Sequence, residues 1–83
     1  MHEYSLVEAM FDQIGQVVRA TGARSVRRVR VRIGEFAGVD PALFETAYDV
    51  FRVNTLCAEA PLEIERAGPT DDLLLKQLEL EVP

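Results

Sequence analysis

The chain has 83 residues and a mass of 9.3 kDa, which is one small domain. Folded, a chain of this size exposes roughly 5,000 Å² and has little interior for an enclosed active site, so any chemistry is expected at a terminus, a loop or a surface cleft. A hydrophobic content of 48% argues against disorder, and a net charge of -5 against a general nucleic-acid binder.

No apolar run approaches the ~20 residues of a membrane span. The start Met1-His2-Glu3-Tyr4 lacks the basic opening and apolar core of a secretory signal, so a cytoplasmic protein is expected. The charges are uneven. Arg24, Arg27, Arg28, Arg30 and Arg32 crowd one segment, whereas Glu59, Glu63, Glu65, Asp71, Asp72, Glu79 and Glu81 fill the C-terminal third. The single cysteine, Cys57, rules out an intrachain disulfide and any Cys-x-x-Cys zinc pair.

In chain order, residues 5–20 predict an amphipathic helix, with Leu6, Val7, Met10, Ile14, Val17 and Val18 on one stripe. Ser5 and Glu8 fit a capping box at its start, although the start could equally lie a residue or two earlier, and Thr21-Gly22 ends it. Residues 25–33 predict a strand, because Val29, Val31 and Ile33 alternate with Arg28, Arg30 and Arg32. That period of two implies a sheet with one dry and one wet face. Gly34 to Val39 reads as a loop, and Asp40-Pro41 opens a second helix, with Asp as N-cap and Pro at the first helical position.

Leu43, Phe44, Ala47, Tyr48 and Phe51 form the stripe of that helix, which fades near Val53-Asn54. A short strand over 62–65 follows, then dense turn chemistry at 67–72 and a last strand over 73–82. Leu73-Leu74-Leu75 breaks the alternation of that strand and predicts a bulge or an end packed on both faces. The expectation is an α+β fold of order α-β-α-β-β, with two helices packed on one face of a three-stranded mixed sheet. The last two strands are expected to form a hairpin. The wet face would pair the arginines with Glu63, Glu65, Glu79 and Glu81.

Few residues can carry chemistry. His2 is the sole histidine and lies beside the amino terminus, so no Ser/His/Asp set can be assembled. A terminal amine, an imidazole and nearby backbone amides can wrap one cation in a plane, an arrangement suited to Ni(II) or Cu(II). The plain alternative is a frayed terminal residue. Glu3 adds a carboxylate beside that site. The arginine run lacks the interleaved aromatic residues of a nucleic-acid platform and reads better as a wet sheet face. Cys57 reads as a half-buried structural thiol, and Asp40 first as a helix cap.

Met1-His2-Glu3-Tyr4-Ser5-Leu6, joined to Ile33-Gly34-Glu35-Phe36-Ala37-Gly38-Val39-Asp40-Pro41, resembles the HypA/HybF family of nickel-insertion proteins for [NiFe]-hydrogenase. The similarity continues through Leu43-Phe44, Ala47-Tyr48-Asp49-Val50, Ala60-Pro61-Leu62-Glu63-Ile64 and Leu74 to Glu81, over nearly the whole chain. It implies a metallochaperone rather than an enzyme, with residues 1–83 forming a single nickel-binding domain. Ni(II) would be held by His2, the Met1 amine and the backbone around Glu3, with Asp40 as a possible neighbour.

The family carries a zinc module with two Cys-x-x-Cys pairs between its last two strands. Here residues 66–72 occupy that place, and no zinc is expected. The implied partners are the nickel-handling GTPase HypB and the hydrogenase large-subunit precursor, with no nucleic acid and no membrane. Partner contact is expected at the metal-bearing end and at Glu8 and Asp12 of the first helix. The competing reading is a metal-free interaction module serving the same GTPase or precursor.

Overall fold

The strand with alternating valines lies at the centre of the sheet. The computed structural model describes residues 2–83. Its elements are α1 (Glu3–Thr21), β1 (Ser25–Ile33), α2 (Pro41–Phe51), β2 (Leu62–Arg66) and β3 (Leu73–Glu81), in the predicted order. The strand order is β2-β1-β3, with β1 parallel to β2 and antiparallel to β3. A parallel pair needs a long crossover, and α2 supplies it.

The expected β2–β3 hairpin does not form, because β1 separates the two strands. Ile33 is paired with Arg66 on one side and with Leu73 on the other. Residues 67–72 therefore cross the end of β1 instead of turning back beside β2. The crossing covers two strand spacings, about 9.6 Å, well within the reach of six residues. Four backbone bonds hold it down. The amide of Ala67 donates to the Ile33 carbonyl at 3.0 Å, that of Gly34 to Asp72 at 2.8 Å, that of Glu35 to Gly68 at 2.7 Å and that of Phe36 to Thr70 at 2.8 Å. Gly34 lies so close beneath this bridge that a β-carbon there would overlap the carbonyl and hydroxyl of Thr70.

Two irregularities keep the leucines of β3 on the core. Between Val26 and Arg28 the strand β1 carries one extra residue, and between Leu75 and Gln77 the strand β3 carries one. The second is the bulge expected from the Leu73-Leu74-Leu75 run, displaced to Lys76. It shifts the phase by one, so Leu73 and Leu75 share the core face with Leu78 and Leu80, whereas Leu74 is exposed.

Both helices cover the face of β1 that carries Val26, Val29, Val31 and Ile33. Val7, Met10 and Ile14 come from α1, and Phe44, Ala47 and Tyr48 from α2. Two residues assigned to the stripes are more exposed than expected: Val17 at 37% and Leu43 at 49%. Phe11 contributes to the interface between the helices instead. Its ring stacks on Tyr48 with centroids 5.6 Å apart and on Phe51 at 6.2 Å.

Helix α1 takes the earlier of the two expected starts, two residues before Ser5. His2 is the N-cap and its side chain makes no capping bond, so Ser5 falls inside the first turn and the Ser5–Glu8 box is not used. Glu3 opens the helix instead, an acidic residue where the helix dipole favours one. Gly22 closes it at φ 68°, as expected of a left-handed cap.

The outer face of the sheet holds the arginines. Arg28 and Arg30 both meet Glu63, at 3.1 and 2.9 Å, and Arg32 lies between Glu65 at 3.7 Å and Asp72 at 3.6 Å. The pairing thus falls on the β2 side; on the β3 side, Glu81 accepts a hydrogen bond from Ser25 at 3.0 Å. Exposed pairs of this kind contribute about 0.2–1 kcal/mol each. The β1 crossing is the less forgiving feature. Gly34→Ala is expected to lower stability by about 1–3 kcal/mol, because the bridge must lift off the strand to admit a methyl group. Thermal denaturation followed by circular dichroism checks this, and an unchanged melting temperature contradicts the packing described.

Candidate metal centre

His2 is exposed and caps α1 with φ -123° and ψ 23°. Its carbonyl accepts the Leu6 amide at 2.9 Å, the first bond of the helix. The amides of Glu3, Tyr4 and Ser5 precede that bond and have no acceptor within the helix. A ψ near zero brings the nitrogens of His2 and Glu3 to the same side of the bond between them. A five-membered chelate ring through two successive backbone nitrogens demands that arrangement. The positive end of the helix dipole also favours an amide nitrogen that has lost its proton.

The two carboxylates have structural work. Glu3 is 4% exposed, and its Oε2 accepts the backbone amide of Asp40 at 3.0 Å. The Asp40 Oδ1 accepts the amides of Ala42 at 3.0 Å and Leu43 at 3.3 Å, and Pro41 takes the first helical position. Asp40 is thus the predicted N-cap. The start of α1 is clipped to the start of α2 through residues 37 apart in sequence, a contact no local pattern announces. Glu3 and Asp40 are brought together, with the exposed His2 next to Glu3 in the chain. Met1 lies outside the described residues. Among the described residues, no group of three or more His, Cys, Asp and Glu side chains converges to hold a metal.

Cys57 is more deeply placed than a half-buried thiol, at 1% exposure. It adjoins Tyr48, whose hydroxyl donates to the Ala60 carbonyl at 2.7 Å; Arg52 Nη1 donates to the same oxygen at 3.1 Å. Burial pushes the titration of the Cys57 thiol upward, opposed by hydrogen bonding to Tyr48 and Thr55. Burial likewise raises the Tyr48 phenol, and the neighbouring thiol adds to the effect. Both groups are held neutral, which is the opposite of an activated nucleophile.

The family model described as "Hydrogenase/urease nickel incorporation, metallochaperone, hypA" matches residues 1–70, and the chain belongs to that family. A hydrogenase maturation factor HypA of Shewanella oneidensis is 44% identical over 62 residues, covering 75% of this chain and 52% of the relative. The HypA of Wolinella succinogenes is 42% identical over 65 residues, covering 78% and 55%. That of Nitrosospira multiformis is 42% identical over 67 residues, covering 81% and 58%. The chain thus spans about half the length of the curated relatives it matches.

The solution structure of the Ni metallochaperone HypA from Helicobacter pylori superposes with a TM-score of 0.82 at 23% identity, over 100% of both chains. A second solution structure, of a HypA protein, gives 0.80 at 24% identity, over 96% of both. At these identities the likeness concerns the fold, and it agrees with the expected two helices on a three-stranded mixed sheet.

Two outcomes follow from the geometry of this end and of the buried pair. Glu3→Ala is expected to cost about 1.5–3 kcal/mol, since the Asp40 amide loses a charged acceptor, whereas Glu3→Gln, which keeps an oxygen there, costs less. Urea denaturation of the two variants distinguishes them, and equal stabilities would remove the clip from the account.

The second outcome concerns alkaline pH. Below the ordinary thiol value of 9.0 and phenol value of 10.0, Cys57 and Tyr48 are protonated both folded and unfolded, and their contribution is fully present. Above them the unfolded chain releases protons that the folded chain retains, so stability falls as pH rises. The melting temperature should therefore drop between about pH 8 and about pH 10.5. A flat profile there would mean that the pair ionises without unfolding.

Proposed function

We propose that this chain is a nickel-holding domain of a [NiFe]-hydrogenase maturation factor, and that it carries Ni(II) at its amino terminus and passes it on by ligand exchange. The observation behind this reading is the exposed His2 at the head of α1, with ψ 23° and with amide groups that no helical carbonyl claims. The donor set is the Met1 amine, the amides of His2 and Glu3, and the His2 imidazole. Two amide protons leave as the metal enters, so the bound Ni(II) is neutralised by the nitrogens it displaces protons from. Four nitrogens in a plane suit Ni(II) or Cu(II) over zinc.

In this proposal the Glu3 carboxylate is not a ligand. It fixes the backbone that supplies one, and Asp40 stands beside the site as the cap of α2. An open, surface-exposed set with no enclosing cage favours transfer over storage. The receiving partners in this reading are the GTPase HypB and the hydrogenase large-subunit precursor, approached at the metal-bearing end. Residues 66–72 supply no cysteine, so the domain would act without zinc.

Nickel titration of untagged protein tests the reading. One equivalent should bind with proton release and give the pale, diamagnetic spectrum of a square-planar centre. His2→Ala should lose that binding and keep its circular dichroism, because His2 lies outside the core. A residue added ahead of Met1 should weaken binding by removing the free amine. Equal nickel affinity in wild type and His2→Ala would refute this site. Absence of nickel binding together with retained GTPase binding would favour the metal-free adaptor.

A further inference from the structure

We propose that the groove between α1 and the turn following α2 is a docking site for an apolar side chain carried on an acidic segment of a partner protein. The groove encloses about 350 Å³. Ile14 and Cys57, both buried, form its floor, and Phe11, Val18 and Leu56 line its walls. Leu56 remains 45% exposed at the rim. The one charged lining residue is Arg19, which makes no ion pair among the described residues. Thr55, the remaining polar liner, is already engaged: its hydroxyl donates to the Arg52 carbonyl at 2.7 Å and accepts the Cys57 amide at 3.0 Å.

Gly15 opens this groove, and the fold has no need of a glycine there. It lies mid-helix, without the positive φ found at Gly22, Gly38 and Gly68. A β-carbon at Gly15 would meet only the movable tip of Arg19, at 3.3 Å. A glycine inside a helix costs stability relative to almost any other residue. Here the missing side chain makes room for the Arg19 guanidinium, which lies over Gly15 at the edge of the apolar hollow.

The hollow fits one aliphatic or aromatic side chain, and the guanidinium fits a carboxylate next to it. A second copy of this chain fits poorly, because a two-fold contact sets each rim against itself and opposes the two Arg19 side chains. From His2 to Gly15 the helix runs about 20 Å, so a partner seated here leaves the amino terminus uncovered. The inference stands apart from the nickel reading and is measured without metal.

The probes are two peptides, Ac-Glu-Glu-Leu-Phe-Glu-Glu-amide and its counterpart with lysine for glutamate, titrated into nitrogen-15-labelled protein. The acidic peptide should shift the amides of Gly15, Val18 and Leu56, and the basic one should bind at least ten-fold more weakly. Arg19→Glu should invert that preference, and Arg19→Lys should keep it. Gly15→Leu should abolish binding while raising the melting temperature by a few degrees, and Gly15→Ala should raise it without filling the groove. The proposal is overturned by equal binding of the two peptides, by shifts that map elsewhere, by no binding at millimolar peptide, or by undiminished binding to Gly15→Leu. Sedimentation that shows a dimer closed over the groove would overturn it as well.

Discussion

β1 is hydrogen-bonded along both edges, and the remaining elements are fitted to that constraint. Its inward residues, Val26, Val29, Val31 and Ile33, are at most 2% exposed. Such a strand is stable only with neighbours on both sides and a cover above. The parallel neighbour β2 requires a crossover, which places α2 on the covered face. The antiparallel neighbour β3 requires the chain to pass from one edge of β1 to the other, and the only short route lies over the end of the strand. Gly34 is where that route and the strand come closest. The same β1–α2 connection carries the chain from the strand end through Gly38 and Val39 to Asp40. The constraint that sets the sheet order therefore also delivers Asp40 to the start of α1.

Most of the elements were legible in the sequence because each depends on a local period. Alternation identified β1 and the phase break in β3, and the Asp40-Pro41 pair identified the start of α2 to the residue. Sheet order was less legible. Glycine and proline between two strands read as a hairpin turn, and the same residues serve equally well for a bridge over a third strand. What decides between them is how many edges of β1 must be paired, which is a property of the whole sheet. Phe11 illustrates a smaller limit. It stands four residues after Val7 and three before Ile14, so its spacing fitted the stripe. Its place is between the helices, against Tyr48 and Phe51, rather than on the sheet.

The candidate centre divides the same way. His2 was put forward from its place beside the amino terminus, against the plain alternative of a frayed terminal residue, and it is the exposed N-cap of α1. The work of Glu3 could not be read from its place. A carboxylate two residues from the start looks exposed, yet it is almost fully buried and accepts an amide from a residue distant in sequence. The sequence left the start of α1 open between the capping box at Ser5 and Glu8 and a position one or two residues earlier, for a related reason. Local side-chain chemistry favoured a start at Ser5, but the tertiary bond of Glu3 holds the backbone helical two residues earlier, as propensity commonly yields to packing.

Burying a carboxylate next to a proposed cation site has a physical consequence. A free carboxylate at Glu3 would offer an oxygen donor, and oxygen donors suit harder ions and octahedral geometry. Turned inward, it withdraws that donor and fixes the amide of the same residue instead. The proposed ligands are then nitrogens attached to a backbone whose dihedral at His2 is already near the chelating value. In that proposal the backbone between His2 and Glu3 would need little reorganisation on binding, and the imidazole, the one ligand on a free side chain, would be the one to leave first. A site built this way is anchored on the side of the helix and loose on the side of the solvent. Stepwise transfer to an acceptor requires that asymmetry, because each nitrogen released must be replaced before the next departs. Filling the distant groove beside Gly15 would tether such an acceptor without crowding the donors.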